Sequence, residues 1–215
     1  VAEILVVDDT PGMVELVERL LVEDGHTTLG ALSGREALEI LKTKRPDLIL
    51  LDVMMPKLNG WQTLKLIREE PDLKKTPIAM LTVKKLSHET AVSSEIGELV
   101  DYIQKPFTKE SLVNRVNRLI SESEELEAEK TKLRAASCEE HMIDHFERTR
   151  RAEELHKKIL GILRQSLENM GSPDEVAALE KAIEIQEQKI EWIKVQGWTL
   201  KKDIRNIYSL MDNKP

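Results

Sequence analysis

One cysteine stands in a chain of 215 residues, and aromatic side chains make up only 3% of it. The lone Cys138 excludes an intramolecular disulfide and any multi-cysteine metal site, which fits a reducing cytosol; its expected role is a small filler on a helix. No apolar run approaches the length of about 18 residues that a membrane-spanning helix needs. Acid lies between Glu3 and Asp9, where a secretory signal would need a basic flank. The expectation is a soluble, cytoplasmic protein without membrane association. The formal charge of -7 gives no surplus of Lys and Arg to neutralise nucleic-acid phosphates, so nucleic acid is not an expected partner.

What the first half does contain is alternation. Apolar runs at Ile4 to Val7, Thr27 to Ala31, Leu48 to Leu51, Ile78 to Leu81 and Val100 to Ile103 are interleaved with helical patterns, including a polar one across 86–97. Five short strands, each followed by a helix, predict a parallel, doubly wound α/β sheet covered on both faces. Ligands of such sheets bind beyond the carboxyl ends of the strands. Those ends carry Asp8-Asp9, Asp52, Thr82 and Lys105-Pro106, each polar group directly after an apolar run.

Three carboxylates converging on one crevice repel one another unless a cation intervenes. An all-oxygen donor set points to a hard divalent ion, and magnesium is the expected one. Lys105 adds a point positive charge, and Thr82 a hydroxyl able to donate to a phosphoryl oxygen. Phosphoryl transfer needs chiefly positioning and charge neutralisation, and Asp52 is placed to be the nucleophile that forms an aspartyl phosphate.

The runs Ile4-Leu5-Val6-Val7-Asp8-Asp9, Leu50-Leu51-Asp52-Val53-Met54-Met55-Pro56 with Asn59-Gly60, Leu81-Thr82, and Tyr102-Ile103-Gln104-Lys105-Pro106-Phe107 resemble the receiver domain of response regulators over about residues 1–120. The resemblance implies a flavodoxin-like fold and phosphorylation of Asp52 by a histidine kinase. It implies that Asp8, Asp9, Asp52 and the backbone carbonyl of Met54 hold the metal, and that Lys105 pairs with the phosphoryl group ahead of a cis peptide at Pro106. It also implies that Thr82 moves toward the phosphoryl group and that Tyr102 follows as an aromatic switch, altering the face built from the fourth helix, fifth strand and fifth helix. Two departures stand out: Val83 replaces the usual small residue, with slow hydrolysis as the expected result, and Lys84 lies close enough to influence dephosphorylation.

Residues 121–215 read as an all-α helical hairpin or coiled coil. No proline occurs between Pro106 and Pro173, and the sequence around Gly171-Ser172-Pro173 predicts a turn between two helices. Val176, Leu179, Ile183, Gln186, Ile190, Ile193, Gly197, Leu200, Ile204, Ile207 and Met211 follow a/d spacing, with Gln186 and Gly197 as the breaks. Leu155, Ile159, Ile162, Leu163, Leu167 and Met170 form the expected antiparallel partner seam. A second stripe, Ala178, Ala182, Ile185 and Trp192, predicts contact with a second copy in a homodimeric four-helix bundle. His141, His145 and His156 read as solvated surface residues, Trp192 and Trp198 as packing residues, and Arg148 to Arg151 as a salt-bridged helix face. The spacing leaves open whether the helix from about 108 to 170 breaks near Ala135-Ala136-Ser137-Cys138.

The expected function is therefore a phosphorelay response regulator, not an enzyme beyond its own phosphoryl transfer and hydrolysis, whose helical half acts through dimerisation or a downstream protein partner. The alternatives are a helical half with phosphotransfer or phosphatase activity and, ranked lower, a DNA-binding regulator.

Overall fold

The computed structural model of the chain describes residues 1–83, 87, 90–91, 95–168 and 173–212. Five strands, β1 (Glu3–Val7), β2 (Thr27–Ala31), β3 (Leu48–Leu51), β4 (Ile78–Thr82) and β5 (Asp101–Gln104), form one parallel sheet in the order β2-β1-β3-β4-β5. This is the expected flavodoxin-like order. Reversal of direction along the sheet falls between β1 and β3, the usual place for a ligand crevice. Register pairs Val7 with Leu51, Leu51 with Met80 and Thr82 with Gln104, so the polar residues following each strand arrive at one edge.

Helices α1 (Pro11–Glu23), α2 (Gly34–Leu41) and α3 (Gly60–Glu69) start where the sequence supplies caps. Pro11 opens α1, the Ser33 hydroxyl accepts from the Glu36 amide at 3.2 Å, and Asn59 and Gln62 cap each other's backbone amides at 2.9 and 3.0 Å. Helix α4 runs Lys109–Ala135. On one side of the sheet Ile4, Val6, Leu48, Leu50, Leu81 and Ile103 cluster with Val14, Val17 and Leu21 of α1 and Leu112, Val116 and Leu119 of α4. Residues of the opposite parity, Leu5, Val7, Ile49 and Leu51, are equally buried, as are Ala37, Leu41, Leu64 and Ile67 of α2 and α3. Strands enclosed on both faces explain the unbroken apolar runs, and each such side chain contributes about 1.5–3 kcal/mol.

Two compact units result: residues 1–86 with 94–121, and residues 87–93 with 122–215. The second contains the end of α4, α5 (Glu140–Leu167) and α6 (Pro173–Asp212). The helical stretch over 108–170, whose continuity the spacing left open, is broken at 136–139. Ser137 adopts a left-handed φ of 56°, the Cys138 amide donates to the Leu133 carbonyl at 3.1 Å, and the Ser137 amide to Arg134 at 2.9 Å. Those two bonds close the helix end without a glycine. Cys138 consequently sits in the link and not on a helix, buried with Leu133, Ala136 and Ile143.

Beyond the link α5 returns antiparallel to α4, as the ion pairs Lys130 to Glu147 at 2.9 Å, Arg134 to Glu140 at 2.8 Å and Lys158 to Glu122 at 2.7 Å record. Helix α6 packs antiparallel to α5 in turn, with His156 level with Gln186 and Thr149 beside Gly197. Leu155, Ile159 and Leu163 are buried in α5, and Leu179, Ala182, Gln186, Ile190 and Ile193 in α6. The region is thus all-α, as expected, the antiparallel pair α5–α6 being joined by the end of α4 as a third helix. Met170 and the Gly171-Ser172 turn lie outside the described residues, as do Lys84 and much of the polar helix expected across 86–97; Glu95–Glu98 form a short 3-10 helix at its expected end.

Candidate functional site

Asp8 follows β1 and Asp52 follows β3, and the β1/β3 register sets them side by side. Asp8 is anchored by its amide to the Ala31 carbonyl at 3.1 Å and Asp52 by its amide to Val7 at 2.9 Å. The Lys105 amide likewise donates to the Thr82 carbonyl at 2.8 Å, tying the end of β5 to that of β4. The Lys105 ammonium donates to Asp8 Oδ2 and, at 3.1 Å, to Asp52 Oδ1. All three side chains are buried, and Thr82 is fully enclosed. The remaining oxygens are also engaged: Asp8 Oδ1 accepts the Thr10 amide at 2.9 Å, and Asp52 Oδ2 the Met54 amide at 2.7 Å. A cis peptide joins Lys105 to Pro106.

Asp9 is exposed at the rim, and Met54 has its side chain in solvent. Among the described residues no three His, Cys, Asp or Glu side chains gather closely enough to form a ready metal cage. The chemistry of the donor set nonetheless suits a hard cation, because two buried carboxylates face a single ammonium and a third carboxylate lies next in sequence. The close approach of the β3–α3 loop adds a steric condition. A Cβ on Gly60 would lie 2.2 Å from the Asp52 carbonyl oxygen, and the Gly60 amide donates to Val53 at 3.0 Å.

Tyr102 on β5 is 2% exposed. Burial, and secondarily the Asp52 charge, push its phenol up to about 12. Beside it lies an arrangement that sequence reasoning missed: the buried Asp101 takes Arg115 in a fork, Nη2 to Oδ1 at 2.6 Å and Nε to Oδ2 at 3.1 Å, while Oδ1 also accepts the Tyr102 amide at 2.8 Å. An acid heading an apolar strand was the available signal, since a charge buried there requires a partner. Val83 is exposed next to Thr82.

In the helical unit the expectation for His156 is overturned. It is buried, and its Nδ1 lies 2.6 Å from Gln186 Oε1, while Gln186 Nε2 donates to the Ala91 carbonyl at 2.6 Å. With Oε1 the acceptor, Nδ1 carries the proton. Burial lowers the His156 pKa, with the Gln186 bond opposing and the Lys189 charge adding to the fall. Trp192 and Trp198, expected as packing residues, are instead 66% and 65% exposed. Arg150 and Arg151 do form the expected ion pairs, with Glu129 and Glu147.

Residues 4–117 match the model of the response regulator receiver domain. The chain is 38% identical over 122 residues to the alkaline phosphatase synthesis transcriptional regulatory protein PhoP of Bacillus subtilis, covering 57% of this chain and 50% of the relative. It is 38% identical over 121 residues to the transcriptional regulatory protein CpxR of Escherichia coli, covering 56% and 50%. The chain thus spans about half the length of the curated relatives it matches. Among solved structures, the receiver domain of the Francisella response regulator 1452 matches at 31% identity and TM-score 0.51 over 57% of this chain and 99% of that one. The chemotaxis response regulator CheY4 of Vibrio cholerae matches at 33% and 0.50 over 55% and 98%. The match covers more than half of the chain and carries every strand of the sheet and the residues gathered at its edge: this chain belongs to the response regulator receiver domain family of two-component systems.

Proposed function

We propose that Asp52 accepts a phosphoryl group from a histidine kinase and that the helical region answers through protein contacts. The observation that carries this reading is the buried Asp52 carboxylate 3.1 Å from the Lys105 ammonium, at the carboxyl edge of the sheet. An Asp52 oxygen attacks the phosphorus of a phosphohistidine. The P–N bond breaks, the imidazole nitrogen keeps its electron pair and takes up a proton, and an acyl phosphate forms. Charge on the transferring group develops beside Lys105, which holds it in a site from which water is largely excluded.

Asp8, Asp9, Asp52 and the Met54 carbonyl would hold magnesium, which when bound supplies charge neutralisation for the phosphoryl oxygens. Thr82 donates its hydroxyl to one of those oxygens, and Tyr102 follows that movement. The response then passes to the helical unit, which acts as a homodimer or on a downstream protein in the cytoplasm. In this reading the chain is no enzyme toward other substrates. Among the described residues no helix is long and apolar enough to cross a membrane.

A second reading, gene regulation through DNA, draws on the relatives named as transcriptional regulators, and these names leave the expectation of no nucleic-acid partner without support. The net charge of -7 favours the protein-contact reading.

Incubation with magnesium and a small phosphodonor tests the assignment. The chain should gain one acid-stable, base-labile phosphoryl group that Asp52→Asn abolishes, whereas Lys105→Ala should still be labelled but lose the conformational response. The same label on Asp52→Asn would refute it.

A further inference from the structure

Helix α6 carries apolar side chains on two faces, and among its described residues the second is largely exposed. The covered face carries Leu179, Ala182, Gln186, Ile190 and Ile193. At 100° per residue, Ile185, Gln188, Trp192, Val195, Thr199 and Lys202 form a second seam with alternating steps of three and four, turned well away from the first. Its centre is bare: Trp192 is 66% and Val195 54% exposed, and Trp198, flanking them, is 65% exposed. Two tryptophans and a valine within two turns are the kind of anchor that interfaces concentrate and that a monomer rarely leaves in water.

Charge selects the occupant. The part of α6 before Trp192 carries Asp174, Glu175, Glu180, Glu184, Glu187 and Glu191 against Lys181 and Lys189. Beyond Trp192 the sign reverses, with Lys194, Lys201, Lys202 and Arg205 against Asp203 and Asp212. A helix acidic in its first half and basic in its second is complementary to itself when reversed. Parallel pairing would set acid against acid and base against base.

We propose that α6 pairs with α6 of a second copy, antiparallel, through the Trp192 and Val195 seam about a two-fold axis between Ile193 and Lys194. In that register every seam residue meets another: Trp192 faces the partner's Val195, Gln188 the partner's Thr199, and Ile185 the partner's Lys202. Lys202, which lies 5.5 Å over the Trp198 ring, is then beside the partner's Glu184. The contact is isologous and closes as a dimer, as a two-fold interface must. It also corrects the face expected from sequence, since Ala182 of the predicted second stripe and Ile190 are buried inside the unit.

This inference rests on the homodimer reading above, and the test separates the two. Sedimentation of the full chain at tens of micromolar should give twice the chain mass. Trp192→Glu with Val195→Glu should weaken association at least about tenfold while circular dichroism keeps the helix content. Glu184→Lys and Lys202→Glu should each weaken it, and the two together should restore it. Because Cys138 is buried, mild oxidation should link Val195→Cys chains to one another but not Gln188→Cys chains, whose positions lie about 16 Å apart along an antiparallel pair at 1.5 Å per residue. A monomer overturns both readings. A dimer indifferent to Trp192 and Val195 overturns this face alone, and equal linkage at residue 188 overturns the antiparallel sense.

Discussion

The side-chain amide of Gln186, in the middle of α6, donates to the backbone carbonyl of Ala91 at 2.6 Å across 95 residues of sequence. Gln186 is fully buried, and its carbonyl is held by His156. Ala91 follows Thr82 by nine positions, and residues 87–93 belong to the helical unit. Ala91 is therefore held within the helical unit.

Gln186→Leu should destabilise the helical unit by about 1–3 kcal/mol for each polar group left without a partner. Gln186→Glu should be at least as damaging, because it buries a carboxylate and sets one of its oxygens against the Ala91 carbonyl where a donor now stands. Urea denaturation followed by circular dichroism measures both. An unchanged midpoint in Gln186→Leu would mean that the bond contributes nothing.

His156 makes the same unit sensitive to acid. Its pKa is lowered in the folded chain relative to the ordinary 6.5, so the unfolded chain binds the proton first as pH falls. Stability is full above about pH 6.5 and declines below it toward the lowered folded value. The melting temperature should drop further between about pH 7 and pH 5.5 in the wild type than in His156→Gln. Equal drops would place the acid sensitivity elsewhere.

Tyr102 acts at the other end of the scale. With its phenol pushed up to about 12 from an ordinary 10, folding is favoured below pH 10, and that contribution is lost as pH rises from 10 toward 12. Ultraviolet titration of wild type against Tyr102→Phe should show one phenol ionising near 12. Tyr102→Phe should keep phosphorylation, while Tyr102→Ala should cost about 3–5 kcal/mol through the cavity it leaves.

Gly60→Ala should impair the acceptor site without touching a charged group. The added methyl carbon would meet the Asp52 carbonyl at 2.2 Å, far inside contact distance, so the loop that orients Asp52 must shift. Phosphorylation by a small donor should slow at least about tenfold, a displacement of about 1 Å being enough for losses of that order. A rate equal to wild type would show that the loop yields freely.

The sheet and its edge were legible in the sequence because each site residue is polar directly after an unbroken apolar run, a placement that parallel strands force. Asp8, Asp52, Thr82 and Lys105 arrive where those runs predict, and Asp9 arrives at the rim. The helical half was legible in its periodicity and in the break ahead of Pro173, and less so in the break after α4. Ser137 ends α4 in a left-handed conformation that glycine usually supplies, so the spacing could mark the stretch 135–138 but not decide that the helix breaks there. His156 looked like surface among charged neighbours, although the polar gap at Gln186 implied a buried partner that spacing could not name. Trp192 and Trp198 were read as packing because apolar spacing cannot tell a covered face from a bare one.

The placement of residues 87–93 bears on the order in which the chain can reach its native state. The sheet is complete once synthesis has passed β5 and the first turns of α4, yet the carbonyl of Ala91 waits until Gln186 emerges. At about 5–20 residues per second, that interval lasts about 4–15 s. Closing so long a loop adds little to its entropic cost but slows its formation. A fragment ending at Ser121 would retain this condition permanently, with the Ala91 carbonyl lacking the donor that Gln186 supplies.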